Sequence, residues 1–288
     1  EEEREAADVV AGLPALALVG QPQPAHIAWA AQLLEGLPDE VRTDLAEPYG
    51  ARAAAYALLL AGRQDVDRPA LPVLRERDPG AAGRAEYLLP RIVALGPAAR
   101  LPLLDLMLPA LRAQSKPQFA AFRDNVQAIV QADATETLFE WVLQRLLILQ
   151  LEQHAEGVEP PSTRWIDLGR LGAECSILLS AVAWAAGDEV AAEQSFASAA
   201  RELGEIAKLS LAPEPRCSPA ALSLAIAALG GSSPAARRRL LNACAAGISA
   251  DAEVTPEEAE LLRALAISLH CPLPPVLPGQ SLRATRAA

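Results

Sequence analysis

Aromatic residues are nearly missing from this 288-residue chain, where Phe, Trp and Tyr together make up 4 %. Segments that alternate apolar and polar are few, and β-branched runs are short. Sandwiches and barrels are built from such segments, so the sequence argues against a sheet. Paired cysteines are also lacking. Cys175, Cys217, Cys244 and Cys271 are scattered with no Cys-x-x-Cys spacing, and they read as reduced thiols of a cytosolic setting. Cys175 and Cys244 sit in apolar helical runs, where a thiol behaves as a small hydrophobe. No apolar run reaches the roughly 18 residues that a membrane helix needs, so no direct membrane span is expected. The longest runs, 175–187 and 220–230, have the length of core helices.

Positive charge is in deficit. The net charge of −11 repels phosphate backbones and anionic lipid headgroups, so a nucleic-acid partner is not expected. Catalytic signatures are missing too. There is no His-Glu-x-x-His and no Gly-x-Ser-x-Gly, and His26, His154 and His270 are far apart in sequence. Gly230-Gly231-Ser232-Ser233-Pro234 opens a helix without the lysine of a phosphate-binding loop, and reads as a helix-helix connection. Arg237-Arg238-Arg239 reads as a solvated helix face rather than an anion site. His154 and His270 fall near helix ends, where the dipole favours positive charge. Trp141 and Trp184 read as core, and Trp165 beside Arg164 could be a partly exposed docking residue, with core packing its default reading.

What the chain does have is Ala and Leu. About half of it is apolar, and these two strong helix formers supply most of that half. The expected fold is all-α, an irregular multi-helix array. Residues 1–25 read as a linker, interrupted by Pro14, Pro22 and Pro24. Their start, Glu1-Glu2-Glu3-Arg4-Glu5, lacks the basic and apolar parts of a signal peptide and reads as a boundary within a longer protein.

Two stretches spell nearly the same thing. Ala132-Asp133-Ala134-Thr135-Glu136-Thr137-Leu138-Phe139-Glu140 is answered by Ala250-Asp251-Ala252-Glu253-Val254-Thr255-Pro256-Glu257-Glu258. The offset of 118 also places Phe122 on Leu240, Val126 on Cys244, Leu143 on Leu261, Arg145 on Arg263 and Leu147 on Leu265. The apolar matches fall at helical spacing, so the pattern points to a duplicated helix-loop-helix unit. The acidic oxygens of Asp133, Glu140, Asp251, Glu253 and Glu258 could face a hard cation. Asp133 to Glu140 spans eight residues without Gly, short of the roughly twelve of an EF-hand loop. Thr137-x-x-Glu140 and Thr255-x-x-Glu258 match the capping box instead, with Pro256 at a favoured first helical position. Capping is therefore the preferred role, and a divalent-cation sensor is the alternative.

The order of apolar helix, Ala-Asp-x-x-x-Thr and Glu-bearing helix resembles TerB-like helical domains. Ala134 and Ala252 stand where those loops carry Gly. A broader resemblance rests on His26-Ile27-Ala28-Trp29-Ala30, Pro48-Tyr49-Gly50-Ala51-Arg52-Ala53, Leu101-Pro102-Leu103-Leu104-Asp105, Phe139-Glu140-Trp141 and Leu269-His270-Cys271-Pro272-Leu273-Pro274. These are similar to the soluble C-terminal extension of bacterial HtpX-like membrane zinc metallopeptidases. The resemblance implies a noncatalytic accessory segment with no cofactor of its own, on the cytoplasmic side of the inner membrane. It would engage a protein partner, a substrate or the protease core in cis. It also sets the expected organisation: an N-terminal helical segment at 26–115, a first TerB-like unit at 116–212, and a second unit with its tail at 213–288.

Overall fold

The computed structural model describes residues 36–62, 69–132, 137–156, 162–204, 208–250 and 254–271. The described residues form an all-α array with no strand, and the chain divides into two compact units, the described helices before residue 160 falling in one and those after it in the other. The first holds α1 (Asp39–Ala46), α2 (Pro48–Ala61), α3 (Ala70–Arg77), α4 (Pro79–Ala94), α5 (Arg100–Arg112), α6 (Lys116–Val130) and α7 (Leu138–Glu156). The second holds α8 (Gly172–Ala185), α9 (Glu189–Leu203), α10 (Pro219–Leu229), α11 (Pro234–Ile248) and α12 (Pro256–Ser268). The segment 116–212 therefore contributes helices to both units. The apolar faces of α6 and α7 are buried by earlier helices: α3 and α2 pack on α6, and α5 and α2 on α7.

Each unit is organised around one helix that is apolar on nearly every side, as a fully buried helix must be. In the first unit this is α2, buried from Gly50 to Leu60 except at Arg52. Its alanines let α1, α4 and α5 come close. In the second unit it is α8, where Cys175, Leu178, Leu179, Val182 and Ala183 are buried. Along the chain α2 packs in turn against α4, α5, α6 and α7, and α8 packs in turn against α9, α10, α11 and α12.

Caps start most of these helices. Asp78 accepts the Ala81 amide, Asp188 that of Ala191, Ser218 that of Ala221 and Ser233 that of Ala236. Each cap satisfies one of the orphan amides of a first turn. The Asp78 cap, followed by Pro79 at the first helical position, sets the start of α4. Helix α9 ends at Leu203. Residues 210–212 run along α8. Ser176 and Ser180 accept the Ser210 and Ala212 amides at 3.2 and 2.8 Å, and Trp184 donates to the Ala212 carbonyl at 2.9 Å. These three side chains are four residues apart, so one face of α8 meets an extended segment. Residues 162–171 are also non-helical. Arg164 and Trp165 donate to the Gly231 carbonyl, and Ser233 donates back to Trp165, which pins this segment beside the start of α11.

Candidate functional site

The two acidic segments close into the same hydrogen-bonded ring. Thr137 donates its amide and hydroxyl to Glu140 Oε2 at 2.9 and 3.0 Å, and the Glu140 amide returns to Thr137 Oγ1 at 3.2 Å. Thr255 donates its amide and hydroxyl to Glu258 Oε2, both at 2.9 Å, and the Glu258 amide returns at 3.2 Å. Both are capping boxes, and both glutamates are only 2 % exposed. One carboxylate oxygen of each glutamate is already held by two donors of its own helix start. Glu140 and Glu258 belong to different compact units. Asp133, Asp251 and Glu253 lie outside the described residues. Among the described residues, no group of three or more His, Cys, Asp or Glu could hold a metal ion.

The correspondence extends past the loops. Helix α6 spans Lys116–Val130, and α11 spans Pro234–Ile248, 118 residues further on. Their caps Ser115 and Ser233 keep that offset, as do the starts of α7 at Leu138 and α12 at Pro256. Shifted by 118, α5 falls on 218–230, and α10 occupies Pro219–Leu229. A 3-10 turn precedes each, Pro97–Ala99 and Glu214–Arg216. Burial recurs position by position. Phe119, Phe122, Asn125, Val126, Ile129 and Val130 are buried on α6, and so are Arg237, Leu240, Ala243, Cys244, Gly247 and Ile248 on α11.

Chemistry changes within that common frame. Asn125, buried in the first unit, joins Arg77 to Tyr56: Arg77 Nε donates to Asn125 Oδ1 at 2.9 Å, and Asn125 Nδ2 donates to Tyr56 Oη at 3.1 Å. Burial drives the Tyr56 pKa far up, so its phenol stays neutral. At the matching place the second unit has only Ala243. The sequence gives no local sign of this network, because its members are 48 and 69 residues apart.

Arg237 is 6 % exposed, which corrects its reading as part of a solvated face. Arg239 donates to the Leu203 carbonyl at 2.9 Å and so closes the end of α9. His154 is exposed. His270 occupies the left-handed position after α12, with φ of 53°. The His270 amide reaches Ile267 O at 3.0 Å and the Cys271 amide reaches Ala266 O at 2.8 Å, the two bonds of a Schellman cap. The helix end does not hold His270 charged. Burial, and then Arg237, push its pKa down.

The cysteines are free. Burial pushes the Cys175 thiol up to about 12 and raises Cys244 further, so neither offers a thiolate nucleophile at neutral pH. Trp141 is core, at 2 % exposure, whereas Trp165 and Trp184 are half-buried. Large apolar side chains that do reach solvent include Ile166, Leu224 and Val190, exposed by 87, 75 and 62 %.

The fold and the boxes together define, among the described residues, an all-α array in which Thr137 and Thr255 each open a helix. No protein family, curated protein or solved structure matches the chain. No single described helix is long and apolar enough to cross a membrane.

Proposed function

We propose that this chain is a noncatalytic interaction module made of a duplicated helical unit of TerB-like type. In line with the HtpX-like resemblance, it serves a bacterial membrane-bound zinc metallopeptidase from the cytoplasmic side of the inner membrane, engaging the protease core, a substrate or a partner protein. The observation that carries the reading is the use of both repeated glutamates as caps. The residues best arranged for chemistry on sequence grounds, Glu140 and Glu258, each hold a helix start instead. The thiols of Cys175 and Cys244 are buried among core side chains, which supports the same reading.

Ile166, Val190 and Leu224 supply exposed apolar contacts in the second unit. Apolar surface of this kind is stabilised when a partner removes it from water. Two experiments test the proposal. The chain alone, incubated with zinc and an unfolded protein substrate, is expected to cleave nothing; zinc-dependent cleavage abolished by chelation would refute it. Co-purification with an HtpX-like protease core is expected, and Leu224→Arg or Ile166→Arg should weaken it at least tenfold.

A further inference from the structure

Where the first unit buries Phe119, the second buries Arg237. Guanidinium groups stay charged at every accessible pH, and a buried charge without a counter-ion is strongly disfavoured. Arg237 Nη1 makes one long contact, 3.4 Å to the Gly230 carbonyl. Its Nε is buried with no hydrogen-bond partner. No carboxylate of the described residues pairs with it. The carbonyl takes Nη1 and leaves Nε without an acceptor, and the Nε–Nη2 edge is the fork with which arginine grips two oxygens of one anion.

The residues just past α12 lie within the electrostatic reach of Arg237, while α12 itself also carries Glu257, Glu258 and Glu260. His270 and Cys271, just past the end of α12, both feel Arg237, and Cys271 also feels Arg238. The backbone around Gly230 offers no alternative cradle. The Gly230, Gly231, Ser232 and Ser233 amides are bonded to Ile226, Ala228, Leu229 and Trp165, and Ser233 Oγ caps Ala236. The unmatched group here is thus the guanidinium, not the helix start.

We propose that Arg237 holds a small oxyanion, of the class of inorganic phosphate or a free carboxylate, between the start of α11 and the end of α12 beside His270. Its negative charge balances a guanidinium that no carboxylate of the described residues pairs. The buried setting favours a compact anion, because each oxygen must find a donor once its water is removed. The site is independent of the interaction role proposed above, so either can fail without the other.

The test uses the whole chain, with inorganic phosphate and acetate as probes and chloride at matched ionic strength as control. Thermal unfolding and the His270 ring-proton titration are followed by NMR, with His270→Gln assigning the signal among the three histidines. Phosphate, acetate or both should raise Tm saturably and raise the His270 pKa, because a bound anion offsets Arg237. The probe that acts identifies which oxyanion the site takes. In Arg237→Met both effects should vanish, and the His270 pKa should be raised already without anion. Arg237→Phe, which carries the residue of the first unit, provides a second variant built to fold. An absence of saturable response to either anion in the native protein, or an equal response in both variants, overturns the proposal.

Discussion

Gly50 and Asp44 touch through their backbones. A Cβ on Gly50 would sit 2.5 Å from both the Asp44 Cα and its carbonyl oxygen, far inside contact distance. The close crossing of α1 and α2 needs a hydrogen at that point, and Asp44 is held there as well by Arg84, whose guanidinium meets it at 2.7 Å. Gly50→Ala should destabilise the first unit by about 1–3 kcal/mol, since backbone atoms cannot step aside as a flexible side chain can. Urea unfolding checks this, and an unchanged midpoint would contradict the packing.

The twin capping boxes should respond alike. Thr137→Ala and Thr255→Ala each remove one acceptor from a first turn and should each lower stability by about 1 kcal/mol. Ser in place of either Thr keeps the hydroxyl and should recover most of the loss. A clear asymmetry between the two would mean that one threonine has a role beyond its helix.

Acid should weaken the second unit through His270. Its folded pKa lies below the ordinary value of 6.5, so the unfolded chain takes up a proton first as pH falls. The sign follows: stability is full above about 6.5 and declines as pH drops towards the lower, folded value. His270→Asn keeps a residue that tolerates the left-handed position and removes the titration. Its melting temperature should therefore fall less between pH 7 and pH 5 than that of the parent chain.

Thiol chemistry should sort the cysteines by burial. Cys217 is half-buried, whereas Cys175, Cys244 and Cys271 are buried. All four pKa values are raised, with burial the leading cause. Under native conditions at neutral pH, a disulfide reagent should modify Cys217 first and Cys244 only as fast as the chain opens. Fast labelling of Cys244 would contradict its place in the core.

Cation binding can be measured directly. Calorimetry with Ca²⁺, Mg²⁺ and Zn²⁺ should show no saturable heat if the glutamates serve only as caps. Heat that disappears in Asp133→Ala combined with Asp251→Ala would establish the sensor reading in place of the capping one.

The local features were legible from the amino acids because their causes are local. Ala- and Leu-rich periodicity dictates helices, Thr-x-x-Glu dictates a capped start, and the 118-residue offset between Thr137 and Thr255 is a property of the string itself. Both boxes formed as their spacing required, since a capping box involves only residues within one turn. What only the tertiary structure decided depends on residues far apart in the chain. It grouped α6 and α7 with the earlier helices, because α2, α3 and α5 pack against them. It joined Tyr56, Arg77 and Asn125 through hydrogen bonds that no short motif encodes. It also turned Arg237 inward at the position of Phe119. Helical spacing says which residues share a face, but which face is covered, and by what, is settled only when the helices pack.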